Sequence, residues 1–174
     1  MHYRRALIPG STYFFTVALA DRKSALLIEQ VDRLREAIRI VKFRHPFEIV
    51  AMVVMPDHLH AVWQLPPGDT DYPTRWSLIK ANFSRGIPRG ECVCPSRTAK
   101  RERGIWQRRY WEHLIRDERD LQTHIDYIHH NPVKHGYVAQ ASAWSHSSIH
   151  RYIRMGWLKE DWGIGIEAGG GYGE

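Results

Sequence analysis

The segment from Phe47 to Leu65 constrains the fold most, because two apolar strand patterns flank the turn-forming pair Pro56-Asp57. The predicted strands are Phe47–Met55 and Leu59–Leu65, and the second carries the histidine pair of His58-Leu59-His60. Residues two apart in a strand point to the same face, so the two imidazoles would lie side by side while Leu59 faces the opposite layer. Two aligned imidazoles form half of a metal site, although two surface histidines on a sheet fit the same spacing.

The remaining hydrophobic patterns predict an α+β protein. Period-two or aromatic-rich stretches predict strands, and apolar residues at helical spacing predict helices. The predicted strands outside the hairpin are Thr12–Ala20 and Trp106–Arg116, and the predicted helices are Leu27–Phe43, Thr74–Phe83, Asp117–His130 and Ile149–Met155. The order strand, helix, strand, strand, helix, strand, helix predicts a single antiparallel sheet with covering helices in a ferredoxin-like arrangement.

Two segments fall outside this pattern. Ser84 to Ile105 is rich in Gly, Pro, Ser and Arg and predicts a long loop, a kind of segment that is usually functional or mobile. Residues 163–174 contain six glycines in twelve positions and predict a flexible tail, because they cannot bury enough apolar surface to fold. We therefore expect one domain over residues 1–162 followed by the tail.

The basic charge is concentrated in one stretch. The chain has a formal net charge of +6, yet residues 75–109 hold ten Lys or Arg against Glu91 and Glu102, a local charge of +8. A basic excess confined to one segment favours a nucleic-acid groove, although a basic disordered loop has the same composition.

The cysteines and the N-terminus predict a cytoplasmic protein. Cys92 and Cys94 are one residue apart, a spacing that is poor for a mutual disulfide and too short for a zinc knuckle, so we expect free thiols. Arg4-Arg5 and the apolar run after them imitate a secretory signal. Pro9-Gly10-Ser11 interrupts the run, however, and its second half is a better strand. We expect no membrane association.

A second group of polar residues lies at the end of the helix predicted over Asp117–His130. Tyr127 and Asn131 are one helical turn apart and share a face. If this helix packs beside the histidine strand, Asn131 could supply an oxygen ligand, while His130 and His124 are rival donors. Mixed imidazole and oxygen ligation suits Mg²⁺ or Mn²⁺ in phosphate chemistry. Tyr127 is then either a nucleophile or a packing residue.

Several motifs together resemble one family. They are Tyr3-Arg4-Arg5, Gly10–Val17, Met55–His60, Trp106–His113 and Asp126–Gly136. In this order and spacing they resemble the REP-associated tyrosine transposases, single-copy bacterial members of the HUH (His-hydrophobic-His) nuclease group. The resemblance spans Tyr3 to Tyr152.

The resemblance implies that His58 and His60 bind a divalent metal and that Tyr127 is the attacking nucleophile. Asn131 falls where related transposases often have a glutamine ligand. The implied substrate is a repetitive extragenic palindrome (REP), a DNA hairpin with a single-stranded flank, cut through a 5′-phosphotyrosine intermediate. The resemblance also favours a monomer.

The same resemblance assigns the basic residues to DNA contacts. The expected contacts are Arg4, Arg5, Arg75, Lys80, Arg85, Arg108 and Arg109. Trp76, Phe83 and Trp106 could stack on unpaired bases, although burial is the commoner role of tryptophan. Two other functions share the composition: a palindrome-binding protein that does not cut, and an RNA hairpin-binding or processing protein.

Overall fold

Four strands form one antiparallel sheet in the order β2-β3-β1-β4. The strands are β1 (Thr12–Ala18), β2 (Glu48–Val54), β3 (His58–Gln64) and β4 (Trp111–Leu114). The computed structural model describes residues 7–91 and 93–165. The strand order confirms the predicted α+β, ferredoxin-like sheet, with the hairpin strand β3 in an inner position beside β1.

Six α-helices accompany the sheet in the part of the chain that is described. They are α1 (Leu26–Glu29), α2 (Val31–Arg44), α3 (Tyr72–Arg85), α4 (Pro95–Ala99), α5 (Glu118–Lys134) and α6 (Ile149–Arg154). The single helix expected over Leu27–Phe43 is divided at Gln30 into α1 and α2. The strand expected over Trp106–Arg116 is shorter, because only Trp111–Leu114 pairs continuously with β1. The loop predicted after α3 contains the short helix α4.

The period-two alternation of the strands divides the core into two layers. Tyr13, Phe15, Leu59 and Trp63 face α2 and α3 and belong to one hydrophobic cluster. Phe14 and Val62, on the opposite face, belong to a second cluster that includes Ile128 of α5. Helix α5 therefore covers the sheet face that carries the even-numbered residues of β3.

Helix α5 continues past the expected stop at Asn131-Pro132. Pro132 lies inside the helix, and the amide of His135 resumes helical hydrogen bonding by donating to the Asn131 carbonyl at 3.0 Å. Proline removes one helical hydrogen bond. Pro132 and the preceding residues are buried against the protein, so tertiary packing outweighs this local preference. The extension adds Lys134 to the helix.

Arg75 is a structural residue, which corrects its assignment as a DNA contact. It is 3% exposed, and its guanidinium is paired with Asp69 at 2.6 Å. The same group donates to the carbonyls of His45 at 3.1 Å and Pro46 at 2.8 Å. These bonds join the start of α3 to the end of α2 and leave the guanidinium inaccessible to a phosphate.

Arg4, Arg5, Cys92 and residues 166–174 lie outside the described residues, so the expectations for the N-terminal arm and most of the tail are not addressed. Cys94 is an exposed free thiol. Across the described ranges, no helix has both the length and the apolar character needed to cross a membrane.

Candidate active site

His58 and His60 lie on the α5 face of β3, as their spacing predicts. Both side chains are buried, with exposures of 2% and 0%, and their ring centroids are 4.9 Å apart. Leu59 between them belongs to the opposite core layer. Two surface histidines would be exposed to solvent, so the alternative interpretation of this pair is wrong.

Asp57 orients His58. Nδ1 of His58 donates to Oδ1 of Asp57 at 2.8 Å, and Oδ2 of the same carboxylate accepts from Nε of Arg22 at 2.5 Å. Burial lowers the pKa of His58, which keeps the imidazole neutral. Although burial alone would raise it, the hydrogen bonds from His58 and Arg22 hold the pKa of Asp57 below its ordinary value. The lone pair of His58 is therefore on Nε2.

This state of His58 fits a metal ligand. Its Nε2 is buried and has no hydrogen-bond partner among the described residues. A buried polar atom of this kind normally has a partner, and a carboxylate on the other ring nitrogen is the usual support of a metal-binding histidine. Nδ1 of His60 is likewise engaged, by Oγ1 of Thr16 at 2.8 Å, so both rings are held through Nδ1.

Tyr127 lies directly against this pair, on α5. Its ring stands edge-on to His60, with centroids 5.1 Å apart, and it also contacts Phe14 at 6.0 Å. The side chain is 7% exposed. Asn131 follows one turn later on the same helix and is fully buried. The helix thus packs beside the histidine strand, which is the condition that the sequence left open.

Lys134 and His135 also lie at this site, although sequence analysis assigned neither a role. Nζ of Lys134 is 3.4 Å from Oη of Tyr127 and 4.9 Å from the centre of its ring. His135 lies 5.4 Å from His58, measured between ring centroids. Lys134 is two turns after Tyr127, a spacing that shares a face. The helical period could have identified Lys134, but Pro132 predicted that the helix ends before it.

The two rival histidines point elsewhere. His130 lies against the backbone of Gly163, and burial lowers its pKa. His124 is separated from His60 by Phe14, whose ring is 4.7 Å from His124 and 5.6 Å from His60 between centroids. Of the predicted donors, His60 contacts Tyr127 directly, His58 is its neighbour on β3, and Asn131 lies one turn after Tyr127 on α5.

A basic groove begins at the same end of the sheet. It has a volume of about 730 Å³ and lies between α3 and the segment 85–108. Its basic lining residues are Lys80, Arg85, Arg89, Arg97, Arg101, Arg103 and Arg108. Ala18 pairs with His58 across the sheet, and its carbonyl accepts from the amide of the lining residue Gln107 at 2.9 Å. One residue therefore links the groove to the histidine site.

The basic residues predicted to contact DNA differ in exposure and in the partners they already have. Arg85 is exposed, whereas Lys80 donates to the Gln107 carbonyl and Arg108 is paired with Glu102 at 2.7 Å. Arg109 is exposed but is not among the residues that line the groove. The three aromatic residues considered for base stacking, Trp76, Phe83 and Trp106, are all buried in the core layer of α2 and α3.

The family model described as "Transposase IS200 like" matches residues 9–131. This range includes the whole sheet, both site histidines, Tyr127 and Asn131. The chain therefore belongs to the IS200-like transposase family.

Comparison with individual relatives narrows the family to one subgroup. The REP-associated tyrosine transposase of Escherichia coli K12 is 46% identical over 160 residues, which cover 92% of this chain and 89% of that one. A Haemophilus influenzae protein is 45% identical over 164 residues, or 93% of each chain. A solved structure of a REP-associated tyrosine transposase bound to a REP hairpin has a TM-score of 0.86 at 44% identity, covering 100% of this chain and 97% of that one. These similarities confirm the resemblance seen in the sequence.

Proposed function

We propose that this protein is a metal-dependent single-strand DNA endonuclease and strand transferase that acts on REP hairpins. The observation that carries the proposal is the contact of the Tyr127 phenol with the buried, Nδ1-anchored His58/His60 pair. The solved relative with the same fold is bound to a REP hairpin, which supports the choice of substrate.

In the proposed reaction, Oη of Tyr127 attacks the scissile phosphorus. The phenol loses its proton as its oxygen forms the 5′-phosphotyrosine linkage. The bond to the 3′ oxygen breaks, and this oxygen takes up one proton and leaves as a hydroxyl, so the step neither releases nor consumes a net proton. The phosphodiester energy is retained, so the same step in reverse joins the 5′ end to another 3′-hydroxyl. The ammonium of Lys134 beside Oη stabilises the phenolate that attacks.

The metal would be held by Nε2 of His58 and His60 and by the Asn131 side chain, and we propose Mg²⁺ or Mn²⁺. When bound, a divalent ion supplies charge stabilisation to the phosphate oxygens. The residues of the chain keep that site dry and fixed: Asp57 and Thr16 each hold one imidazole, and Phe14 stacks on His60 and meets Tyr127 edge-on.

The DNA interface would run along the basic groove, with Arg85 and Arg89 as exposed phosphate contacts and with Lys80 and Arg108 in its wall. Arg4, Arg5 and Arg109 are proposed contacts to the flank. We further infer a monomer that acts in the cytoplasm, where an exposed thiol such as that of Cys94 stays reduced.

The decisive experiment incubates the protein with single-stranded REP hairpin oligonucleotides, with Mg²⁺ or with a chelator. We expect wild type to form a denaturant-stable adduct that requires the metal. Tyr127→Phe should form none while still binding the hairpin. The matched control is Tyr72→Phe, because Tyr72 lies in the core layer on the opposite side of the sheet.

Each alternative has its own outcome. Hairpin binding without an adduct by wild type would indicate the non-cleaving palindrome-binding protein. Cleavage of an RNA hairpin in place of DNA would indicate the RNA-processing protein. An adduct formed by Tyr127→Phe would mean that another residue is the nucleophile.

A further inference from the structure

A second group of metal-ligating side chains lies on the α5 face, at the outer strand of the sheet. His113 projects from β4, and Asp120 and His124 are one turn apart on α5. Nε2 of His113 lies 2.8 Å from Oδ2 of Asp120, and Nδ1 of His124 lies 3.1 Å from Oδ1 of the same carboxylate. Within residues 7–91 and 93–165, this is the one group of three His, Cys, Asp or Glu ligands whose ligand atoms approach one another within 4.8 Å.

This cluster is separate from the candidate active site. The ring of Phe14 stands between them, since it contacts His124 on one side and His60 on the other. His113 pairs directly with Phe14 across β1 and β4, which places the cluster one strand further out than His60. The chemistry proposed for Tyr127 makes no use of these three residues.

We propose that His113, Asp120 and His124 form a second cation site, which binds a divalent transition-metal ion of the zinc class. Two imidazole nitrogens with one carboxylate oxygen are the donor set of zinc-type sites with an open fourth position. The side chains of His113 and Asp120 are 22% and 19% exposed, so an ion and its water ligand can reach the site from solvent.

The two ligand separations from Asp120 are close to those of a bound site. Bonds of about 2.0–2.1 Å in a tetrahedral site separate ligand atoms by roughly 3.4 Å. The observed separations of 2.8 and 3.1 Å from the Asp120 carboxylate are a few tenths of an ångström shorter. The imidazoles of His113 and His124 already stack at 4.7 Å with an interplanar angle of 18°, and both direct a nitrogen at the same carboxylate.

Binding replaces hydrogen bonds by metal bonds without net loss of protons. In the metal-free state, His113 Nε2 donates to Asp120, and His124 Nδ1 also donates to the Asp120 carbonyl at 2.8 Å. On binding, each imidazole moves its proton to its other nitrogen and offers the freed lone pair. The Asp120 carboxylate faces both imidazoles, because one of its oxygens lies beside each ring.

The site would join β4 to the first turns of α5. His124 precedes Tyr127 by less than one turn, so an ion bound here would fix the position of the helix that carries the proposed nucleophile. We propose a structural role for the ion, because it would tie β4 to α5 through His113 and Asp120.

The test is a cobalt titration of the untagged, chelator-treated full chain without DNA, followed by the visible absorption of bound Co²⁺ and by direct metal analysis. The starting protein is His58→Ala/His60→Ala, which removes the candidate active site. Into it we introduce His113→Gln, Asp120→Asn or, as the control for loss of a generic histidine, His45→Gln. Circular dichroism verifies that each variant is folded.

We expect one equivalent of Co²⁺ in the starting protein and in the His45→Gln control, displaceable by Zn²⁺, and none after His113→Gln. Asp120→Asn keeps a hydrogen-bonding oxygen and provides the second variant, which should bind Co²⁺ much more weakly. A starting protein that binds no Co²⁺, or a His113→Gln variant that still binds one equivalent, would show that the three residues form only a hydrogen-bonded cluster. Neither result depends on DNA cleavage.

Discussion

The ring of Tyr127 stands edge-on to the imidazole of His60, with their centroids 5.1 Å apart and their planes at 70°. The first residue is on α5 and the second on β3, so the contact exists only because the helix covers that face of the sheet. Thr16 holds the same imidazole through Nδ1 at 2.8 Å. Strand β1, strand β3 and helix α5 thus meet at the proposed nucleophile.

Loss of the Asp57 charge should weaken the affinity of the active site for its metal. Asp57→Asn keeps an acceptor for His58 Nδ1 but removes the negative charge that makes Nε2 more basic. We expect the Mg²⁺ or Mn²⁺ concentration for half-maximal adduct formation to rise roughly 10- to 100-fold. The matched control is Arg22→Gln, which removes the other partner of the Asp57 carboxylate. This variant should change the half-maximal metal concentration far less. An unchanged metal requirement in Asp57→Asn would contradict a ligand role for His58.

Removal of the Lys134 charge should slow the attack by Tyr127. Lys134→Gln leaves a polar side chain but no cation 3.4 Å from Oη, so the attacking phenolate loses the positive charge beside it. We expect the rate of adduct formation to fall on the order of 100-fold, measured in single turnover with saturating hairpin. Lys159→Gln removes the same charge at an exposed position and is the control. Equal rates in both variants would show that Lys134 only packs on the ring.

Exposed arginines of the groove should contribute to hairpin affinity through phosphates. Arg85→Ala and Arg89→Ala should each weaken hairpin binding and lower the slope of log K against log salt by about 1. Fluorescence anisotropy at several salt concentrations measures both quantities. Arg39→Ala, on the exposed surface of α2, should leave the slope unchanged. If the groove variants behave like this control, the hairpin binds on another surface.

Arg75 should matter for stability rather than for DNA recognition. Arg75→Met leaves the carboxylate of Asp69 and the carbonyls of His45 and Pro46 without their partner. We expect the free energy of unfolding in urea to fall by about 3 kcal/mol. Arg85→Met, on the same helix but exposed, should cost far less. If Arg75→Met is as stable as wild type and binds the hairpin with a reduced salt slope, Arg75 contacts a phosphate.

Acid should destabilise the protein partly through His129. Burial lowers the pKa of this residue to about 3, and Nε2 lies 2.9 Å from Oγ of Ser148. Between its unfolded pKa of about 6.5 and its folded value, the unfolded chain binds the proton that the folded chain does not. The contribution of His129 to the free energy of unfolding is therefore complete above about pH 6.5. It is lost as the pH falls towards 3, by up to about 1.4 kcal/mol per pH unit.

Urea unfolding of wild type and His129→Gln between pH 7.5 and about 4.5 measures this contribution. The glutamine keeps a hydrogen bond to Ser148 but does not titrate, so the variant should show a flatter dependence on pH. Parallel curves for the two proteins would mean that His129 is protonated in the folded state as readily as in the unfolded state.

The sequence by itself determined the parts of the site that depend on local periodicity. The period of two in a strand put His58 and His60 on one face, and the period of 3.6 in a helix put Tyr127 and Asn131 on another. Alternation of apolar residues likewise predicted the antiparallel sheet and its order of strands and helices. These patterns need only the conformation of a few neighbouring residues.

Tertiary structure decided which of these faces meet. Packing of α5 on the sheet brought Tyr127 to His60, and it carried the helix through Pro132 so that Lys134 reached the phenol. The same packing placed His124 with His113 and Asp120. Packing of α3 beside α2 buried Arg75, a residue that the sequence had assigned to DNA. Contacts between segments distant in sequence depend on how apolar faces fit together, and no local pattern contains that information.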